Sequence, residues 1–140
     1  MERVHVLVQE TSLSWSGVLR FGYTSHDPVT ITAATLPKYA CPDLTCKPGY
    51  WAKALGERYA KAGNILHFYR LRNGDVMFGV NGEEKGLFLT GVNTNLPLWP
   101  MVDIYGNSVA VQFVGEYYKS QIHLPRASII REPVDCLLGP

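Results

Sequence analysis

The stretch NILHFYRLRNGDVMFGV, residues 64–80, decides the fold class. At period two, Ile65, His67, Tyr69 and Leu71 fall on one side and Leu66, Phe68 and Arg70 on the other, the spacing of a strand and not of a helix. Asn73-Gly74 follows at once. That dipeptide is the strongest short-range hairpin signal, because a type I′ turn needs positive φ at both central residues. Asp75–Val80 then returns as the partner strand. An antiparallel hairpin is written into one unbroken stretch.

The same alternation extends in both directions. In Arg3–Gln9, Val4, Val6 and Val8 share one face, as in a half-buried strand. Gly17–Thr24 reads as another strand, entered through the Ser-Trp-Ser-Gly turn at 14–17. Downstream, Asn81-Gly82 opens a turn over NGEEKG before a strand at Leu87–Val92, which puts Glu83-Glu84-Lys85 on a solvated tip. Leu98–Tyr105 and Ser108–Val114 are expected to form a last hairpin around Gly106-Asn107. Tyr50–Ala62 is the one stretch with helix-forming composition, but Gly56 interrupts it and the expectation is one or two short turns. Short strands at regular spacing, separated by Gly, Asn and Pro turns, describe an all-β sandwich or barrel. From Glu116 the alternation fades and Pro125, Pro133 and Pro140 appear, so residues 1–115 are expected to form the domain and residues 116–140 a C-terminal extension or linker.

Composition agrees with one folded domain. The chain has 140 residues, 46% of them hydrophobic, enough for a real core. A formal net charge of +1 gives no basic surface for nucleic acid or an anionic membrane. No apolar run approaches the ~20 residues of a transmembrane segment, and MERVHVLVQE lacks the continuous apolar core of a signal peptide. The expected location is cytoplasmic. Three cysteines are too few and too oddly numbered for a disulfide scaffold. Cys41 and Cys46 fit neither a Cys-x-x-Cys redox pair nor a zinc cluster, and the four histidines are scattered, so no metal and no cofactor is expected.

No catalytic constellation emerges. Ser25-His26-Asp27 contains the residue types of a triad, but adjacent residues cannot supply its geometry, and Asp27-Pro28 is a common way to leave a strand. Walker, dinucleotide-binding and metalloprotease motifs are all missing. What stands out is LPKYACPDLTCKPGYWAKAL, residues 36–55, with three prolines, two cysteines, two tyrosines, a tryptophan and three lysines. Its prolines fix φ and its aromatic groups offer contact area at low entropic cost, which suits a loop that grips.

Five motifs in order, FGYTSHDP, LPKYACPDL with PGYWAKAL, GDVMFGVNGEEKGLFLTGV and LWPMVDIYGN, resemble the neuralized homology repeat of the Neuralized family of ubiquitin ligases. The resemblance runs from about Glu2 to Val114 and implies a SPRY-like antiparallel β-sandwich. Family domains begin with further strands before the segment matching Glu2–Gln9, so this chain resembles an N-terminally truncated domain. Full-length relatives often carry a zinc-binding RING, which three cysteines cannot build, so the chain is expected not to be an enzyme by itself.

The resemblance implies recognition of cytoplasmic peptide segments, such as the tails of Notch ligands or other ubiquitination substrates, for ubiquitination and endocytosis. Full-length family members are further candidate partners, and recruitment to plasma membrane or endosomes would come through partners. The expected peptide-binding residues are Lys38, Tyr39, Asp43, Tyr50, Trp51, Lys53 and Asp103. The aromatic groups would anchor, the lysines pair with acidic groups, and the aspartates accept from amides. Each has a structural alternative: Trp51 and Trp99 as core residues, Asp103 as the cap of a neighbouring loop. Two other functions stay open at this point. One is a non-catalytic short product competing for the same partners; the other is a sandwich that binds a small molecule or phosphoinositide.

Overall fold

The computed structural model describes residues 3–11, 19–31, 48–103, 108–114, 121–124 and 127–130. Side chains at 10, 11, 57, 103, 108–110 and in the last two segments are not described. Among the described residues ten strands occur in chain order: β1 Val4–Thr11, β2 Arg20–Thr24, β3 Tyr50–Ala54, β4 Ile65–Arg70, β5 Val76–Val80, β6 Glu83–Leu89, β7 Trp99–Asp103, β8 Ser108–Val114, β9 Gln121–Leu124 and β10 Ala127–Ile130. They form two five-stranded sheets, ordered β6-β5-β4-β1-β8 and β3-β2-β7-β10-β9. Every pairing in both is antiparallel. The fold is an all-β sandwich, as the alternation requires.

The core follows the period-two pattern. Val4, Val6 and Val8 of β1, Leu66 and Phe68 of β4, and Phe21 and Tyr23 of β2 are all buried in one cluster between the sheets. Aromatic rings tie the layers together. Phe21 stacks on Phe88 of β6 with centroids 4.0 Å apart, and lies 4.6 Å from Phe68. Tyr23 meets Phe68 edge-on at 5.5 Å. Such pairs add about 0.5–1.5 kcal/mol each beyond the area they bury.

The two Asn-Gly dipeptides make different turns, and the type I′ expectation belongs to the second. At 73–74 only Gly74 has positive φ, +93°. The Gly74 amide donates to the Leu71 carbonyl and the Leu71 amide to the Asp75 carbonyl, the pattern of a three-residue loop closed by a left-handed glycine. A Cβ on Gly74 would stand 2.6 Å from the Val92 carbonyl, so a neighbouring loop occupies the space. At 81–82 both residues are left-handed, Asn81 at φ +52° and Gly82 at +83°, and Val80 pairs directly with Glu83. The turn is therefore two residues long. Glu83-Glu84-Lys85 begin β6 and do not form the expected tip.

The short turn expected in Tyr50–Ala62 is present as a single 3-10 turn at Glu57–Tyr59, but the stretch begins as strand β3, and two further expectations change. β3 is held by a full ladder to β2, from Arg20↔Ala54 to Thr24↔Tyr50, which overrides local helix composition. β7 and β8 do not form a hairpin: β7 pairs with β2 and β10 in one sheet, β8 with β1 in the other. The Gly106-Asn107 signal between them lies outside the described residues. Finally, the segment expected to be an extension or linker supplies the β9–β10 hairpin, whose β10 runs beside β7 from Ala127↔Asp103 to Ile129↔Met101.

Candidate functional site

Loops gather at one end of the second sheet. Thr24, the last residue of β2, is paired on one side with Tyr50, the first of β3, and on the other with Trp99, the first of β7. The segments 25–31, 48–49 and 93–98 therefore leave or enter the sheet at the same end. Side chains and backbone fix them in place. The Ser25 amide donates to the Gly49 carbonyl at 2.8 Å, and the Thr24 hydroxyl to the same carbonyl at 3.0 Å. His26 bonds through Nε2 to the Pro48 carbonyl at 2.8 Å and lays its ring against Tyr50, centroids 4.7 Å apart. Gly49, at φ +88°, is where the loop passes under that imidazole; a Cβ would sit 2.6 Å from His26 Nε2 and from Ser25 Oγ.

The Asp27-Pro28 dipeptide does more than leave a strand. The Asp27 carboxylate accepts from the Val29 amide at 3.0 Å, and the Thr30 hydroxyl donates to the Asp27 carbonyl at 2.7 Å. Pro28 is buried beneath a short 3-10 turn, Pro28–Thr30, while Val29 is 80% exposed at its crest. Leu96, on the loop that leads into β7, is also exposed.

The sequence-predicted residues divide by strand face. Tyr50 is opposite Thr24 on the outer face, half-buried; burial pushes its phenol above the ordinary value, with a hydrogen bond to Thr24 opposing. Trp51 and Lys53 alternate with it and face the other layer, opposite Tyr23 and Phe21. Trp51 packs against the core cluster. Lys53 crosses the gap between the two sheets: its Nζ donates to the Phe88 carbonyl of β6 at 3.2 Å and stands 5.8 Å from that ring. Asp103 closes β7 in register with Arg20 and Ala127. Lys38, Tyr39 and Asp43 lie outside the described residues. Trp99 is buried, but by register on the outer face of its sheet. His26, Val29 and Leu96 were not among the expected contacts; the Asp-Pro dipeptide signalled the turn that carries Val29 without showing that this side chain is displayed, and Leu96 lies on the separate loop into β7.

A second polar arrangement lies on the outer face of the first sheet. Across one rung stand Glu84 (β6), Gly79 (β5), His67 (β4) and His5 (β1). The His67 ring lies over Gly79, where a Cβ would be 2.1 Å away, and reaches Glu84 Oε1 at 3.1 Å. The Tyr69 hydroxyl donates to Glu84 Oε2 at 2.6 Å, and the Arg3 guanidinium sits 4.9 Å over the Tyr69 ring. Burial, then the hydrogen bond and charge of Glu84, push the Tyr69 phenol up to about 12. His5 is held below its usual value by burial, with His67 and Arg3 adding to the effect. The arrangement gives one carboxylate two donors from β4 and so binds the edge strand β6 to β4 across β5.

Loops held at one end of a rigid sandwich are where such folds commonly place contacts. Comparison with known proteins identifies the kind of sandwich. The Neuralized family matches residues 1–115. "Protein neuralized" of Drosophila melanogaster is 48% identical over 132 residues, covering 91% of this chain and 17% of that protein. "E3 ubiquitin-protein ligase NEURL1B" of Homo sapiens is 42% identical over 130 residues, covering 93% of this chain and 23% of the relative. The crystal structure of the Drosophila melanogaster neuralized-NHR1 domain superposes with a TM-score of 0.78 at 53% identity, over 82% of this chain and 73% of that one. The chain belongs to the Neuralized family, and its sandwich is an NHR domain. It spans about a fifth of the length of these curated relatives.

Proposed function

We propose that the chain is the substrate-recognition module of a Neuralized-type ubiquitin ligase, holding cytoplasmic peptide segments, Notch-ligand tails among them, for ubiquitination and endocytosis. The observation that carries this reading is kinship over more than nine-tenths of the chain with a protein named as an E3 ubiquitin-protein ligase. The loop end of the second sheet supports it, because loops held on a rigid scaffold are where sandwiches place contacts. Of the expected peptide contacts, Tyr50 is displayed there, with Lys38, Tyr39, Asp43 and Asp103 proposed from sequence alone. Trp51 and Lys53 contribute from beneath, by packing and by closing the sandwich. In this reading transfer chemistry belongs to other parts of a ligase and the site of action is cytoplasmic. Titration of the chain with synthetic peptides tiling a Notch-ligand tail tests it. Saturable binding of one tile is expected; no binding by any tile would refute the reading.

A further inference from the structure

The outer face of the first sheet gathers its ionisable side chains on two neighbouring rungs. His5 of β1 and His67 of β4 stand directly opposite each other, with ring centroids 6.0 Å apart. His67 is 2% exposed, and its Nε2 meets Glu84 Oε1 of β6 at 3.1 Å. The other Glu84 oxygen accepts from the Tyr69 hydroxyl. Arg3, two residues before His5, holds its guanidinium over the Tyr69 ring. At these rungs β5 supplies Gly79 and Met77 and β8 supplies Val114, none of them charged. Glu83 and Lys85 of β6 pair with each other.

Apart from its two imidazoles, this face therefore carries one cation, Arg3, and one carboxylate, Glu84, among the described residues. A proton added to His67 meets that carboxylate. A proton added to His5 meets His67 and Arg3, and no carboxylate of the described residues. Two imidazolium rings at this distance repel, and the buried one has little water to screen it. We infer that the His5–His67 pair is a proton-sensitive clasp, which lets β1 close against β4 when neutral and loosens β1 in mild acid when both rings are charged. The effect reaches the core, because β1 lies between β4 and β8 and carries Val4, Val6 and Val8. It is independent of peptide recognition.

His5 already sits below its ordinary 6.5, first through burial, then through His67 and Arg3. The unfolded chain thus takes this proton more readily than the folded one. The stabilisation is complete above about 6.5 and is lost as pH falls below that value.

The test uses the whole 140-residue chain. Nuclear magnetic resonance titration of the wild-type imidazoles should place the His5 midpoint below 6.5, and His67→Gln should move it up towards 6.5. Denaturant unfolding between about pH 8 and pH 5 should show an acid loss in wild type that His5→Gln lacks. The ratio of their unfolding constants should grow with acidity by no more than about tenfold per pH unit, the limit for one linked proton. At about pH 5 the amides of β1 should exchange faster in wild type than in His5→Gln. A wild-type His5 midpoint at or above 6.5 would overturn the clasp, and that measurement needs no variant to fold. A midpoint indifferent to His67→Gln, or parallel pH curves for wild type and His5→Gln, would overturn it too.

Discussion

The two sheets each place a glycine in a central strand, for opposite reasons. In the first, Gly79 leaves room for a side chain: the His67 ring lies over it and reaches Glu84 on the edge strand. In the second, Gly22 leaves room for backbone, since a Cβ there would lie 1.8 Å from the Trp51 carbonyl oxygen of β3. One sheet is keyed by side chains that reach across strands, the other by the absence of one. Side chains can turn aside at moderate cost. A paired backbone cannot, so damage to the second sheet should be abrupt and damage to the first graded.

The sharpest break in that contrast is Gly22→Ala. β2 and β3 would have to separate along their ladder, and a loss exceeding about 4 kcal/mol is expected, in the range that marks a disrupted core. Denaturant unfolding measures it; a loss under about 1 kcal/mol would show that β3 adjusts as easily as a side chain. Gly79→Ala comes next. The imidazole can swing away, but the Glu83 carbonyl stands 2.6 Å from the new Cβ, so about 1–3 kcal/mol is expected, as for other overpacked sites. The Glu84 contact with His67 should be lost with it, seen as altered imidazole resonances.

Tyr69→Phe removes one donor to Glu84 and should cost about 1.5–3 kcal/mol at neutral pH, the range for a hydrogen bond to a charged group. Its pH dependence is specific. The folded phenol titrates at about 12 against an ordinary 10.0, so the folded state holds this proton more tightly than the unfolded chain. The stabilisation is complete below about 10 and is lost as pH rises towards 12. The gap between wild type and Tyr69→Phe in melting temperature should therefore close across that window, and the ultraviolet titration should lose its latest phenol. A constant gap would mean that the network is not what holds the proton. Asn81→Gly should have the smallest effect, under about 1 kcal/mol by thermal melting. Glycine keeps the left-handed turn and gives up only the Asn81 side-chain bonds to the Ile65 amide and to Asn64.

What could be read in the sequence was local. Alternation in Arg3–Gln9 and Asn64–Arg72 located strands and assigned their inner faces, because a half-buried strand must alternate. Partner choice was not local. Nothing in LWPMVDIYGNSVAVQFV distinguishes a hairpin from a strand that leaves its sheet, since Gly106-Asn107 reports only that the chain bends. Composition also left β3 unread at Tyr50–Ala54, where a ladder with β2 outweighs the preferences of Ala and Lys. At the loop end, its aromatic-rich surroundings singled out Tyr50, while the face it occupies came only from its pairing with Thr24. Val29 was not singled out, because exposure belongs to the folded surface and leaves no mark on a Pro-Val-Thr triplet.

The place of β1 has a consequence for synthesis. It sits between β4 and β8, bonded to Phe68 and its neighbours on one side and to Val114, Phe113 and Val111 on the other. During synthesis β1 must therefore wait for residue 114 to emerge before its second partner exists. At 5–20 residues per second that delay is about 5–20 s. Throughout it Val4, Val6 and Val8 form an apolar row with a free hydrogen-bonding edge, a good substrate for a chaperone and a poor one for solvent. A nascent sandwich of this kind closes only once β8 has emerged, so its yield in the cell should depend on chaperone supply during translation more than on the stability of the finished fold.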